Sequence, residues 1–536
     1  MRIAGLILLL ALNVRAQQIT TVTNDEALLA WQNSIEGNTY TNDVDSASST
    51  VNTPLKDGSF YKAQYQTDLR RTFNDEKIDF FQFSLTHSND PAVLSSTQNQ
   101  INNLQLGRSG PEYYVSAGDV APNFSSLSSA LAVRGVLGQK VLGNYTVSLF
   151  GGKVADSWEA LSNSVLRSQF LRDVYGAKVE TDLSDRLGVY LTAQNSQDDG
   201  GSLTDPAAVG TLNARNVQSI TIGFKYEIAP ELTLAGEAAQ STSKTETQPE
   251  LNGKASILDA TWKKGMVTVR GGYHNLDPEY VSLSSKAQAG IIENLLSLDW
   301  KASSWLDVGA GVTKTRSTTL AAFPLVSTSH QTDAENVKAG ITLSQAWGLS
   351  LQKSNSRTRD LSSDELTSNE QTSAGLKFNS SGWTAALNRS YLEVRNESLP
   401  SMEANTTNTK LSVGRQISEN SNFAEAAWGL DMGFDYGLQE QDLLSGEETA
   451  SVNRSLTLSG RLTKWGSLNL VLSDNTTERP NGLSDLTTLS QDIEAVHDFS
   501  QTSKGRIYYR HTESNTGAPL LAVEERVLGA NFSCAF

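Results

Sequence analysis

The chain has 536 residues and a formal net charge of -16, from 43 basic and 59 acidic side chains. This acidic balance argues against nucleic acid as a partner, because nucleic-acid binding needs a basic surface. Hydrophobic residues make up 38% of the chain, and its single cysteine, Cys534, excludes an intramolecular disulfide framework.

Residues 1–16 have the pattern of a secretory signal peptide. Arg2 precedes an apolar run over residues 3–12, and the small side chains of Val14 and Ala16 are spaced for cleavage before Gln17. The run is about half as long as the roughly 20 residues that a membrane-spanning helix needs. The pattern therefore predicts a cleaved signal and export through the inner membrane.

Residues 17–58 are predicted to form a periplasmic segment of helix and polar linker. The stretch 24–37, NDEALLAWQNSIEG, has an amphipathic pattern, with Asn24 or Asp25 as the N-cap and Gly37 after its end. Two roles stay open for this segment. It either gates the rest of the protein or docks a periplasmic partner, or it is only a tether.

From residue 59 onward, apolar and polar side chains alternate with a period of two, which is typical of β-strands with one apolar face. In SITIGFKYEI (219–228), for example, Ile220, Ile222 and Phe224 share one face while Lys225 and Glu227 share the other. The alternating segments run for about 10 to 14 residues, whereas ordinary strands have about 5 to 6 and membrane-crossing strands about 9 to 11. The pattern predicts an all-β fold, a single large transmembrane antiparallel β-barrel over residues 59–536.

Tight turns such as APE (229–231) and KKG (263–265) alternate with long polar segments such as QSTSKTETQPELNG (240–253). Outer-membrane barrels have short periplasmic turns and longer extracellular loops. Tryptophans close to the tight turns are predicted to lie at the membrane interface: Trp262, Trp300, Trp305, Trp347, Trp383 and Trp465.

Residues 111–143 interrupt the simple alternation, chiefly in GDVAPNFSSLSSALAVRGVLGQKV (118–141). The sequence allows either a loop folded into the lumen or an irregular pair of strands.

The final residues, VLGANFSCAF, alternate again and end on Phe536. With the signal peptide and the alternating strands, this ending resembles the single-chain bacterial outer-membrane β-barrels of the porin-like class. The resemblance implies a bacterial outer-membrane location, contact with membrane lipid and lipopolysaccharide, and recognition of the last strand by the outer-membrane assembly machinery. The residues that match this assembly signal are Leu528, Ala530, Phe532 and Phe536, whereas Cys534 departs from the usual large apolar residue.

Counting the alternating segments predicts about 22 to 24 strands, the number in bacterial barrels being even. A barrel of this size encloses an aqueous channel or a plugged lumen. Lumen-facing charges are expected on the polar strand faces: Lys225, Glu227, Arg270, Lys338, Lys377, Asp431, Asp435, Arg461, Asp492, Glu494 and Arg510. Because both signs are present, a dedicated tunnel for polyanions is not indicated.

Catalytic and metal-binding motifs are absent: the sequence has no HExxH, GxSxG, P-loop or CxxC. We therefore predict no enzyme, no cofactor and no metal, and we interpret His511 as a rim or lumen histidine. Three functions stay open: a channel for small polar solutes or oligosaccharides, an export conduit for a polysaccharide or other polymer with a periplasmic partner, and a surface scaffold or adhesin with a closed lumen.

Overall fold

The computed structural model describes most of the chain from residue 19 to residue 535. The described residues are 19–23, 27–46, 57–91, 93–94, 97–128, 132–204, 213–245, 249–282, 289–320, 327–399, 403–418, 428–443, 447–462, 466–478, 485–500, 502–515 and 522–535. The predicted signal peptide, Trp465 and Phe536 lie outside them.

Strands account for nearly all of the secondary structure. In chain order they are β1 (Ile19–Thr23), β2 (Ala27–Ser46), β3 (Gly58–Phe73), β4 (Ile78–Ser88), β5 (Asn99–Gly110), β6 (Tyr113–Val120), β7 (Val133–Leu142), β8 (Tyr145–Val154), β9 (Leu171–Ser184), β10 (Leu187–Asp199), β11 (Arg215–Ala229), β12 (Leu232–Thr245), β13 (Leu251–Lys264), β14 (Val267–Leu276), β15 (Ile291–Lys301), β16 (Leu306–Leu320), β17 (Ser327–Thr342), β18 (Trp347–Asp360), β19 (Leu366–Ser380), β20 (Trp383–Asn396), β21 (Ala404–Ser418), β22 (Trp428–Leu443), β23 (Glu448–Leu462), β24 (Gly466–Glu478), β25 (Leu486–Ser500), β26 (Ser503–Asn515) and β27 (Val523–Ala535). One short helix, α1 (Trp158–Ser162), and a 3-10 turn (Ser164–Leu166) lie between β8 and β9. Among the described residues, no helix has the length and apolar character needed to cross a bilayer.

The strands close into one barrel. Each strand from β2 to β27 pairs antiparallel with the next, and β27 returns to pair with β2 from Ser34↔Ala535 to Ser46↔Val523, which gives 26 barrel strands. The all-β barrel is therefore confirmed, whereas the predicted number of 22 to 24 strands was wrong. The undercount falls before residue 171, where residues 27–46, expected to lie outside the barrel, form its strand β2, and where β6 to β8 have only 8 to 10 residues each.

The segment predicted to be a periplasmic helix is the strand β2. Its residues pair with β3 over Ala27–Asn42 and with β27 over Ser34–Ser46, while β1 pairs with its beginning, Ala27–Trp31. An isolated helix of this length is only marginally stable, whereas two neighbouring strands offer backbone partners along both edges of β2. Backbone pairing with β3 and β27 therefore outweighs the helix-like spacing of the apolar residues in β2. As a result, the barrel begins at Ala27 rather than at residue 59.

The two faces of the sheet differ as the alternation predicts. On β11 the side chains of Ile220 and Ile222 are 59% and 60% exposed, while Ser219 and Thr221 on the opposite face are buried. The exposed apolar side chains form the outer belt that faces lipid, because the lumen of a membrane barrel is polar. Several polar segments assigned to loops instead continue the strands: β12 runs to Thr245 and β13 begins at Leu251.

Gly118, near the end of β6, is a position at which substitution is expected to be costly. Its φ is +107°, and an added Cβ would lie 1.9 Å from the carbonyl oxygen of Leu104. A side chain in such a conformation costs about 1 to 3 kcal/mol before any clash. We expect Gly118→Ala to lower the unfolding temperature of the barrel, measured as the temperature at which its folded band disappears in gel-shift electrophoresis.

Gly138 on the next strand provides the matched control, since an added Cβ there meets nothing within 4 Å. If Gly138→Ala lowered the unfolding temperature as much as Gly118→Ala, the assigned role of Gly118 would be contradicted.

Candidate channel lumen and its plug

The barrel is too wide for its own wall side chains to fill. With strands about 4.8 Å apart and tilted by about 40°, a circular barrel of this strand number would be roughly 50 Å across the backbone. Such a lumen either stays open or is filled by other parts of the chain.

Two segments fold into the lumen, and we call them together the lumen plug: residues 121–128, which follow β6, and residues 277–282, which follow β14. Leu127 is 0% exposed, and Phe124 and Tyr280 are also buried. The region 111–143 thus corresponds to the first alternative, a connection that turns into the lumen, because β6 and β7 on either side of it pair in a regular ladder.

The first contact between the plug and the wall is apolar. Phe124 packs with Val120 and Val133 and with Phe150 and Val174 on the lumen face of β8 and β9. The rings of Phe124 and Phe150 meet edge to face, with centroids 5.1 Å apart. This geometry is favourable for aromatic pairs, so it fixes the beginning of the plug.

The second contact lies across the lumen face of β12 to β14. Leu127 and Tyr280 pack there with Ala239, Ala255 and Leu276. The two plug segments also bind each other, because the hydroxyl of Tyr280 donates to the carbonyl oxygen of Leu127 over 2.5 Å.

Glu237 on β12 holds the plug to the wall. Its carboxylate accepts the backbone N–H of Ser126 at Oε1 (3.1 Å) and the backbone N–H of Leu127 at Oε2 (3.0 Å). Hydrogen bonds to a charged group contribute about 1.5 to 3 kcal/mol each, so Glu237 is a strong polar anchor between the plug and the wall. Sequence alternation places Glu237 on the polar face, but nothing in the sequence marks it as an anchor.

Between the two contacts, the lumen face of β10 and β11 is lined with buried hydroxyl groups. The side-chain oxygens of Thr192, Ser196, Ser219 and Thr221 have no hydrogen-bond partner among the described residues. This strip of the lumen face is therefore polar, whereas the two plug contacts on either side of it are apolar.

The register places all eleven charged candidates on the lumen face of the sheet. Neighbouring strands share this face through pairs such as Asp492↔Arg510 and Glu494↔Tyr508. Their role in selecting solutes remains a prediction. The candidates on this face are Lys225, Glu227, Arg270, Lys338, Lys377, Asp431, Asp435, Arg461, Asp492, Glu494 and Arg510.

Some of these charges are paired, and their partners include residues that the sequence analysis did not select. Asp299 binds Arg270 (Nη1 to Oδ2, 2.8 Å) and Lys338 (Nζ to Oδ1, 3.0 Å). Arg506 binds Glu494 over 2.7 Å. Asp299 could have been found from the alternation, because Leu298 and Trp300 on either side of it face lipid.

The described residues that were predicted to face lipid lie on the outer face of the barrel, and the tryptophans among them lie near the predicted ends of the strands. Five of the six predicted tryptophans are described, and all five are exposed close to tight turns: Trp262, Trp300, Trp305, Trp347 and Trp383. Trp428, at the start of β22, is exposed in the same way but was not selected. Leu528, Ala530 and Phe532 share the outer face of β27, and their recognition by the assembly machinery remains a prediction.

Cys534 and His511 have ordinary surroundings. Cys534 is buried, with its sulfur 3.1 Å from the hydroxyl of Ser503, and Nε2 of His511 lies 2.9 Å from Oε1 of Glu524. Within the part of the chain that the structure describes, no cluster of three or more histidine, cysteine or acidic side chains is placed to hold a metal ion.

Comparison with known proteins gives matches only among solved structures. No protein-family profile matches the chain, and no curated protein sequence matches it. The translocation pore of the P pilus usher PapC is 11% identical, with a TM-score of 0.43 over 95% of this chain and 99% of that chain. A triple mutant of the Rhodopseudomonas blastica porin is 12% identical, with a TM-score of 0.27 over 58% of this chain and 98% of that chain.

The class of the protein follows from its own architecture. A closed antiparallel barrel with an apolar outer belt, aromatic side chains at the strand ends and a polar lumen is the design of outer-membrane barrels. The chain therefore has the architecture of an outer-membrane β-barrel.

Proposed function

We propose that this protein is a passive channel for small polar solutes or oligosaccharides across the bacterial outer membrane, narrowed by its lumen plug. The observation that carries the proposal is the uneven filling of the lumen. The plug contacts β8, β9 and β12 to β14, whereas on other strands the lumen side chains of Lys338 and Arg510 are 63% and 51% exposed. Exposed lumen side chains away from the plug support an aqueous path beside it.

The chemistry of this path suits uncharged polar solutes. A recess of about 510 Å³ has a lining on the lumen face that includes four asparagines and a lysine among serines and glycines: Asn388, Asn408, Asn453, Asn475 and Lys410. An amide both donates and accepts hydrogen bonds, so this lining matches the hydroxyl groups of sugars. Since both signs occur on the lumen face and some of the opposite charges are paired, we expect weak selection between cations and anions.

The proposal for polymer export had depended on a helix near residues 24–37 that could dock a periplasmic partner. Residues 27–46 are instead the strand β2, with neighbours along both edges. The surface scaffold with a closed lumen would not conduct ions, whereas the proposed channel would. A conductance measurement therefore distinguishes the two hypotheses.

Planar-bilayer recording tests the proposed channel directly. We expect the purified protein to give a conductance that is linear in voltage, with weak selection between cations and anions. Silence at every voltage would favour the closed scaffold and contradict the proposal.

Glu237→Gln is expected to loosen the plug. The substitution removes the carboxylate that accepts two backbone N–H groups, so the plug should leave the wall more often. We expect more frequent steps to higher conductance in planar-bilayer recordings.

Glu494→Gln is the matched control, because it removes the same charge from the lumen face but leaves the plug contacts intact. Equal step frequencies in Glu237→Gln and in the wild type would contradict the anchoring role of Glu237.

A further inference from the structure

We propose that a depression in the outer wall of the barrel binds a glycerophospholipid of the periplasmic leaflet, with Arg71 holding the phosphate. We call this depression the rim groove. It has a volume of about 1350 Å³ and crosses β2 to β6, where its apolar lining comprises Leu29, Trp31, Leu69, Phe81, Leu106 and Val115.

The register shows that the rim groove faces lipid rather than the lumen. Trp31 pairs with Leu69, Leu69 with Phe81 and Phe81 with Leu106, so these four side chains form one row on one face. Trp31, Leu106 and Val115 are large and exposed, as expected for the outer belt. The apolar lining continues the surface that the bilayer covers and offers space for acyl chains.

Cationic side chains stand at one end of the groove. The next row on the same face joins Leu29, Arg71, Asp79 and Arg108 across four strands. The guanidinium groups of Arg71 and Arg108 both lie over the ring of Phe73, at 4.6 and 5.9 Å from its centroid. The ring thus holds two cations side by side, next to the apolar groove.

The carboxylate opposite Arg71 in the register, Asp79, attracts the Arg71 guanidinium but makes its hydrogen bonds with Arg108. Asp79 is bound by Arg108 through two hydrogen bonds, one of them Nη2 to Oδ2 over 2.8 Å. In the turn, Lys77 lies 2.5 Å from Asp75 and lowers the pKa of that carboxyl. Among the described residues, no carboxylate lies within ion-pair distance of the Arg71 guanidinium. This holds for Glu76 too, which stands in the turn that follows β3.

The ligand class follows from this combination of groups. A guanidinium binds a phosphate with two parallel hydrogen bonds, and an apolar groove beside it takes the acyl chains of the same molecule. The cations lie beside the tight turn 74–77, and short turns of outer-membrane barrels are periplasmic. The lipid is therefore a glycerophospholipid of the periplasmic leaflet rather than lipopolysaccharide from the opposite leaflet.

Native mass spectrometry of the full-length barrel in non-ionic detergent tests this site, with dioleoyl phosphatidylglycerol as the probe. We expect one lipid to be retained more tightly than the rest, and Arg71→Gln to weaken its binding about tenfold, which corresponds to about 1.4 kcal/mol. Diacylglycerol, which lacks the phosphate, should bind wild type and variant equally weakly.

Arg415→Gln is the matched control. Arg415 also stands at a tight-turn end on the outer face, with its guanidinium 4.6 Å from the ring centroid of Trp383, but it lies outside the groove. Any one of three results would overturn the proposal. Arg71→Gln could retain the lipid as well as wild type does, Arg415→Gln could lose lipid binding to the same extent as Arg71→Gln, or lipopolysaccharide could bind more tightly than phosphatidylglycerol. If Arg71→Gln does not fold, Arg71→Lys replaces it, because this variant keeps the positive charge but lacks the planar guanidinium. We expect it to weaken lipid binding, by less than tenfold. Unchanged binding would contradict the role of the guanidinium.

Discussion

Replacing residues 123–128 with a glycine and serine linker of equal length is expected to raise the single-channel conductance several-fold. The change removes Phe124 and Leu127, whose side chains hold the plug against two separate parts of the lumen face. The backbone N–H groups that Glu237 accepts stay in the chain, but the apolar contacts that fix them beside Glu237 are lost. The strand ladder is untouched, because the replaced residues form no part of a strand. The wide barrel would then conduct through the space that the plug occupies.

Planar-bilayer recordings on the linker variant measure this effect. The control replaces residues 361–365, between β18 and β19 at the opposite end from the tight turns, by a similar linker and should leave the conductance unchanged. An unchanged conductance in the plug variant would mean that residues 123–128 do not limit flow.

Deleting residues 27–46 is expected to abolish assembly of the barrel. The strand β2 joins β27 to β3, so its loss exposes two strand edges whose backbone groups cannot remain unpaired in lipid. We expect no heat-modifiable band in gel electrophoresis and no protection from added protease in outer-membrane preparations.

Deleting residues 17–23 is the control, since it removes only β1 and leaves both ladders of β2 intact. If the protein without residues 27–46 still folded and conducted, the segment would be a tether, as one of the sequence interpretations held.

The outer face of the barrel could be predicted from the sequence because it depends on a local pattern. In β11 the alternation of Ile220, Ile222 and Phe224 with polar residues already separates the lipid face from the lumen face. The tryptophans near tight turns follow the same rule, since an amphipathic ring is most stable at the membrane interface. These features need no knowledge of which strand lies beside which.

Features that depend on distant partners could not be predicted in this way. The segment 24–37 has helix-like spacing, and only pairing with β3 and β27 makes its described part, from residue 27 onward, a strand. Phe124 and Leu127 are single apolar residues in a polar stretch, and their role depends on wall residues that are remote in sequence, such as Phe150 and Ala255. Arg71 and Arg108 likewise become neighbours only when β3, β4 and β5 align.

Liposome swelling with a graded series of uncharged sugars is the most direct test of the central claim, a water-filled lumen narrowed by a plug. We predict rapid swelling of proteoliposomes in a pentose such as arabinose, with rates that fall steadily for disaccharides and trisaccharides. The variant with residues 123–128 replaced should admit the larger sugars. Proteoliposomes that fail to swell in arabinose, while the protein in them is folded, would contradict the account.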